Sequence, residues 1–473
     1  MPKILLLLLL ASLVACASPS TAPAPQTAAS ASQTAAAAAD AVQPAFRVPA
    51  APVLDGDPID LRLVGFPANA AVTVTAERVW GRRDPARYRS KAKFRADADG
   101  TINFARDAPI AAPWVGVDPR GLFWSMTRTE EALSDDEPDS STVVLRADAD
   151  GDGQVDGTND LRAAVTLIRS VEGLVETPLG DDFPGAFLVR PPGDAPLPVV
   201  IVLGGSEGQD SAARDAAPRL ASRGYAAVGL PYYSPAWADQ PQPIPGLPRA
   251  FRDIPIDRLE GVRDWLRARD DIQSDRIGLY GVSKGAEFVL AGASRIDGFA
   301  AVVAIVPSDV IWEGWGSSAD DGPYSSFSWR GASLPFVPYK GMAEEFAKGQ
   351  NGGEVRIRIP HDAGREAYPE RVAPARIAVE QIDEPLLIAG ADEDWVWNSG
   401  AMARNILAVR DAAGLRTVAF IDPDADHALS GTAYRPIGNA ATARLRGVAY
   451  PAMLDFFAIH LKGETLRRRD TGR

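Results

Sequence analysis

Hydrophobic and polar positions alternate with a period of two through the first part of the chain, and the pattern changes near residue 175. Between residues 60 and 76, Leu61/Leu63 and Val72/Val74 place apolar side chains at every second position. That spacing is the mark of strands with one buried face. Residues 91–95 alternate again, Asp97-Ala-Asp-Gly100 follows, and Thr101-Ile-Asn-Phe104 comes next. The run predicts a hairpin closed by a glycine turn. Residues 142–146 and 161–169 predict a further strand pair. No amphipathic helix is predicted before residue 170, so residues 45–170 are expected to form a small antiparallel β-sandwich.

Beyond residue 175, short apolar runs alternate with helical periods. Runs at 198–203, 225–230, 276–280, 301–306, 385–388 and 418–421 predict buried strands. Leu259, Val262 and Leu266 fall at three- and four-residue spacing and mark a helix face, and a last helix is predicted near 448–461. Buried strands that alternate with helices specify a mostly parallel sheet covered on both faces, so the fold class is α/β over residues 171–473.

Composition adds a leader and a linker to this picture. A length of 473 residues suits two folded units and a tail. Lys3, the apolar run 4–10 and Leu13-Val-Ala-Cys16 predict a lipoprotein-type signal over residues 1–15, with Cys16 lipidated after cleavage. Cys16 is the chain's one cysteine, so no disulfide framework is possible. Residues 16–44 are dominated by Ala, Pro, Ser, Thr and Gln and read as a disordered tether. An exported, membrane-anchored protein facing the periplasm is expected. The net charge of −13 lacks the basic footprint that nucleic-acid binding needs.

The chemistry gathers in three places. Gly281-Val282-Ser283-Lys284-Gly285 follows a predicted strand and opens a predicted helix, the setting of a nucleophile elbow with Ser283 as nucleophile. The histidines are His361, His427 and His460. In α/β hydrolases the order is serine, acid, histidine, which selects His427, just beyond the strand at 418–421. His361 precedes every acid candidate, and His460 lies inside the last helix. The acid is expected after the strand at 385–388, where Asp392, Glu393 and Asp394 stand together. Asp394 ranks first, Asp392 second and Glu393 third. The oxyanion donors are expected to be the amides of Lys284 and of Ser206, or Glu207 beside it, in the loop Gly204-Gly-Ser-Glu-Gly208.

These residues carry a resemblance to the acyl-CoA thioester hydrolase / bile acid-CoA:amino acid N-acyltransferase family. Gly281-Val-Ser-Lys-Gly-Ala-Glu287 resembles its elbow, residues 390–399 its acid loop, and residues 116–126 its N-terminal signature. The tryptophans of the acid loop favour Asp394. The resemblance implies a β-sandwich ahead of an α/β-hydrolase domain, and acyl thioesters as substrates. Amino-acid-conjugating members use cysteine where Ser283 stands, which favours hydrolysis. An exported carboxylesterase, a dienelactone-hydrolase-like enzyme and an inactive tethered binding protein are the alternatives.

Two features leave open readings. The insertion at about 308–384 is rich in aromatic residues, among them Trp312, Trp315, Tyr324, Phe327, Trp329, Phe336 and Tyr339. They either line an acyl pocket as a lid or pack the insertion down. Asp148-x-Asp150-x-Asp152-Gly153 with Asp156 imitates a calcium loop, but Asn159 occupies the position of the bidentate glutamate. A solvated turn is the expectation, with no metal and no cofactor.

Overall fold

The period-two segment builds two small sheets. A computed structural model describes residues 43–465 except 82–83, 134–140, 150, 156–159, 236–240, 317–321, 433 and 435–438. Strands β1 (Ala45–Arg47), β2 (Val53–Leu54), β3 (Arg62–Val64), β4 (Ala71–Trp80), β5 (Ala86–Arg95) and β6 (Ile102–Asn103) come first. A buried four-residue helix, α1 (Gly121–Trp124), precedes β7 (Thr127–Arg128), β8 (Thr142–Ala147) and β9 (Leu161–Ile168). The orders are β1-β3-β6 and β2-β9-β8-β4-β5-β7. Leu61, Leu63, Val72, Val74, Phe94 and Val143 fill one shared core, as their alternation requires.

Three details depart from the sequence expectation. The turn at 97–100 forms, with the Gly100 amide on Asp97 O and the Thr101 amide on the Asp97 carboxylate. It closes no hairpin, because β5 pairs along its ten residues with β4 while β6 pairs with β3 in the other sheet. Alternation identifies a strand's faces but not its neighbour, and the longer ladder with β4 wins. The β2–β9 pair is parallel, so the sandwich is not purely antiparallel. A four-residue helix is too short to show a period, which is why α1 was not expected.

The second segment forms an eight-stranded sheet. Its members are β10 (Val175–Pro178), β11 (Phe187–Arg190), β12 (Leu197–Leu203), β13 (Ala226–Gly229), β15 (Ile272–Val282), β16 (Ala301–Ile305), β19 (Leu386–Ala391) and β20 (Thr417–Asp422). The order is β10-β11-β13-β12-β15-β16-β19-β20, parallel from β13 to β20. Val200 and Val202 face α2 (Ser211–Ala221) and α9 (Ala440–Lys462) in one core. Val199 and Ile201 face α3 (Arg258–Arg267), α4 (Lys284–Ala293) and α8 (Ser399–Ala412) in the other. Strands covered on both faces need continuous apolar runs, and these have them.

Between β16 and β19 the chain adds β17 (Phe327–Trp329), β18 (Ala332–Ser333), α5 (Met342–Gln350), α6 (Arg358–Ala367) and α7 (Pro369–Ala375). β17 and β18 form a small sheet with β14 (Ile254–Pro255). Helix α9 starts earlier than its apolar period suggests. Its first turns carry small buried residues such as Ala441 and Ala443, and Asn439 caps them by accepting from the Thr442 amide. The described residues belong to one compact unit. No helix among the described residues is long and apolar enough to cross a membrane. Cys16 and most of the 16–44 segment lie outside the described residues.

Candidate active site

Strand β15 delivers the chain to Ser283, and α4 starts at the next residue. Ser283 sits at φ 56°, ψ −122°, a conformation costly for a residue with a side chain. Its amide donates to Ile305 O at 2.9 Å, which ties the turn to β16. The two flanking glycines are a steric necessity. A Cβ on Gly281 would stand 2.2 Å from Gly285 O, and one on Gly285 would stand 2.2 Å from Gly204 O.

The acid loop follows β19 and the histidine loop follows β20, so both emerge at the same edge of the parallel sheet as Ser283 after β15. His427 Nε2 lies 3.0 Å from Ser283 Oγ. His427 Nδ1 lies 2.9 and 2.8 Å from the two Asp394 oxygens. A carboxylate only accepts, so Nδ1 carries the proton, and Nε2 is free to accept from the serine hydroxyl. Asp394 is 1% exposed. Its Oδ1 also accepts from the amides of Val396 (2.8 Å) and Trp397 (3.2 Å), and Oδ2 from the Ser399 hydroxyl (2.6 Å). The carboxylate is therefore held from several sides.

The other acids are placed elsewhere. Asp392 is engaged by both terminal nitrogens of Arg404, at 2.8 and 2.6 Å, and that guanidinium holds its carboxyl below the usual range. Glu393 is exposed. In the histidine loop, Asp422 caps the amides of Asp424 and Ala425, and Asp426 binds the Thr442 hydroxyl. These acids shape the turn that presents His427.

The amides of Ser206 and Lys284 donate to no acceptor among the described residues. The Gly205 amide instead donates to the Glu207 carboxylate at 3.0 Å, so Glu207 folds back and fixes its own loop. A Cβ on Gly205 would stand 3.2 Å from Ser283 Cβ, which measures how closely this loop approaches the serine. The Tyr232 hydroxyl donates to the same loop, 2.9 Å from Gly204 O and 3.0 Å from Gly205 O.

The Lys284 side chain has a separate place. It is buried with Nζ 2.7 Å from Glu287 and 2.8 Å from the Ser326 hydroxyl, and it faces the rings of Phe251 and Phe327. Burial pulls the ammonium pKa down and pushes the Glu287 carboxyl up.

His361 takes no part in the contacts of Ser283 and neighbours His427 through the Trp397 ring, 5.7 Å from His361 and 5.8 Å from His427. Its Nδ1 donates to Ile357 O at 2.6 Å, and it sits among Trp312, Tyr339 and Trp397. Burial lowers its pKa to about 3, so it is neutral at ordinary pH. His460 packs on Phe456 in α9. Ser399, Trp397 and Tyr232 take supporting positions that the sequence reading did not find. Trp397 and Ser399 belong to the acid-loop segment, but no local motif assigns their roles, which depend on which loops meet.

A cleft of about 590 Å³ opens at Ser283 and His427. The insertion contributes Ile357 to its lining, and none of the insertion's aromatic residues named above lines it. Instead, Trp315 stacks on Phe251 at 4.2 Å, Phe327 meets Phe288 edge-on at 5.2 Å, and Trp312 stacks near Tyr339. These rings pack the insertion onto the domain.

The Asp148 carboxylate accepts from the amides of Gly151 and Gly153, and Asp152 accepts from Gln154. Asp150, Asp156 and Asn159 lie outside the described residues. No group of three or more potential metal ligands occurs among the described residues.

Comparison with known proteins follows the two-part layout. A family described as the acyl-CoA thioester hydrolase/BAAT N-terminal region matches residues 56–167, and the BAAT / acyl-CoA thioester hydrolase C-terminal family matches 255–450. The dienelactone hydrolase family matches 185–314. Mitochondrial acyl-coenzyme A thioesterase 2 of Rattus norvegicus is 31% identical over 254 residues, 53% of this chain and 52% of that protein. Acyl-coenzyme A thioesterase 5 of Mus musculus is 27% identical over 321 residues, 67% of this chain and 70% of that protein. The matched stretch thus spans about half the length of the first of these relatives. Among solved structures, esterase B from Lactobacillus rhamnosis is 16% identical, with a TM-score of 0.37 over 62% of this chain and 88% of that one.

Proposed function

The chain belongs to the acyl-CoA thioester hydrolase/BAAT family, and from that premise we propose that it hydrolyses acyl thioesters through an acyl-enzyme on Ser283. The observation that carries the reading is the hydrogen-bond series from Ser283 Oγ through His427 to Asp394 at a strained strand-to-helix turn. In this reading, Ser283 Oγ attacks the acyl carbonyl while His427 Nε2 takes its proton. Asp394 stabilises the imidazolium that results. The amides of Ser206 and Lys284 receive the oxyanion, at a helix N-terminus whose dipole favours negative charge. Collapse breaks the bond to sulfur, and the imidazolium returns the proton to the leaving thiolate. Water then repeats the sequence, releasing the acid and restoring Ser283.

A second reading is supported by a separate observation. The charged side chains lining the cleft are Glu207, Asp215 and Arg219, and Arg219 is already paired with Asp55 and Asp215. No described lining residue offers an unpaired cation to the phosphates of coenzyme A. This favours esters or thioesters with uncharged leaving groups, as an esterase or dienelactone-hydrolase-like enzyme would use.

One panel tests both readings. Butyryl-CoA, a neutral butyryl thioester and p-nitrophenyl butyrate are compared with wild-type enzyme and Ser283→Ala. The first reading expects turnover of the thioesters and a loss of about 10³-fold or more in kcat for Ser283→Ala. Turnover of p-nitrophenyl butyrate or the neutral thioester without turnover of butyryl-CoA supports the second reading. Unchanged turnover in the variant rejects both.

A further inference from the structure

The Ser283 cleft has an end that a simple alkyl pocket does not need. Val202, Ala216, Leu220, Val282 and Met453 give it apolar walls, yet Asp215, Arg219, Tyr280 and Tyr450 also line it. Arg219 and Tyr450 are both buried. The Tyr450 hydroxyl is buried and has no hydrogen-bond partner among the described residues. Buried hydroxyls normally find partners, and one that lacks a partner carries a desolvation penalty.

The surroundings are fixed in place. Arg219 reaches Asp55 at 3.1 Å and Asp215 at 3.2 Å, so its charge is spent within the protein. Asp55 also binds the Thr432 hydroxyl on the loop that carries His427. Gly56 backs Tyr450: a Cβ there would stand 2.4 Å from Tyr450 Cε1. Nearby, Arg446 Nε is a second buried donor without a partner among the described residues, and burial pulls this guanidinium down to about 10. Burial together with Tyr450 and Asp215 pushes the Tyr280 phenol up, so it stays protonated.

We propose that this end of the cleft is a subsite for a neutral oxygen acceptor, an oxo or hydroxyl group, on the acyl chain, with the Tyr450 hydroxyl as donor. The proposal rests on the hydrolase reading, because it assigns the acyl group to the arm away from the general acid. Trp395 stands beside His427, with ring centroids 6.1 Å apart, where the leaving group must receive its proton. Tyr280, Arg219 and Tyr450, which neighbour one another in the lining, are assigned to the acyl side. An anionic group gains little there, because the one lining cation is already paired with two carboxylates.

The test uses p-nitrophenyl octanoate and its positional mono-oxo isomers, with full-length wild type and Tyr450→Phe. The expected result is that at least one oxo isomer exceeds the unsubstituted ester in kcat/KM by about tenfold in wild type. Tyr450→Phe should reduce that ratio to about one. The ratio is internal to each protein, so a change in folded fraction cancels. The proposal is overturned if no oxo isomer is preferred by wild type, or if Tyr450→Phe keeps the preference. Failure of the underlying hydrolase reading looks different: neither ester is turned over and Ser283 resists fluorophosphonate.

Discussion

Asp392 and Asp394 stand two residues apart, yet their surroundings assign them different work. Asp392 faces Arg404, while Asp394 faces His427, two backbone amides and the Ser399 hydroxyl. Asp394→Asn should therefore lower kcat by about 10³- to 10⁴-fold, because the amide no longer fixes the imidazole tautomer. Asp392→Asn should stay within about threefold. Steady-state kinetics on p-nitrophenyl butyrate checks both, and comparable losses in the two variants would contradict the assignment. The sequence ranked Asp394 first but kept all three acids of its loop in play, since spacing does not reveal which carboxylate points inward. His361 has a different effect at this scale. Its folded pKa is lowered by burial to about 3, against an ordinary value of 6.5. Below about pH 6.5 the unfolded chain binds a proton that the folded chain refuses, so folding stability falls as pH drops toward 3. One such group contributes a slope of about 1.4 kcal/mol per pH unit. Urea unfolding of His361→Phe between pH 4 and 6 should show a shallower loss than wild type, and an equal slope would count against this account.

At the scale of elements, the elbow between β15 and α4 is the best-defined feature. Gly285 is pressed against Gly204 O, in the loop that carries Ser206, one of the proposed oxyanion donors. Gly285→Ala should push the two segments apart, cutting activity by at least tenfold and lowering Tm. A normal Tm with normal kcat would mean that the contact is looser than the structure indicates. This elbow was legible in the sequence because its constraint is local: strand, tight turn and helix occupy consecutive residues. The pair β8–β9 was legible for a similar reason, each strand having a clear alternation. The hairpin expected at 91–104 was not, because β5 and β6 choose partners β4 and β3 that alternation cannot distinguish. The insertion's rings show the same limit. Their apolar character was plain, but their direction is set by Phe251 and Phe288, far off in sequence.

At the scale of the molecule, the segment after β2 reaches into the hydrolase sheet's surroundings. Asp55 binds Arg219 of α2 and Thr432 of the histidine loop. Asp57 binds Arg223 at 2.6 Å, and its carbonyl accepts from the Tyr434 hydroxyl at 2.8 Å. Arg78 of β4 donates to Tyr434 O at 2.8 Å. The N-terminal sheets are thus coupled to the loop that presents His427. No sequence pattern announced this coupling, since each bond joins single polar residues more than a hundred positions apart. Asp55→Asn leaves the buried Arg219 with less compensation, so stability should fall by about 3 kcal/mol. It should also lower kcat of the folded protein through Thr432. Kinetics well below the variant's Tm separates the two effects, and an unchanged kcat there would show that the contact is structural only.

The proposed role of Ser283 as nucleophile is the point on which the rest depends, and it can be tested by peptide mapping after fluorophosphonate treatment. Wild-type protein should carry one phosphonate adduct on the peptide containing Ser283, and His427→Ala should label at least about 10²-fold more slowly. Absence of an adduct on native protein, or an adduct on a different serine, would contradict the account.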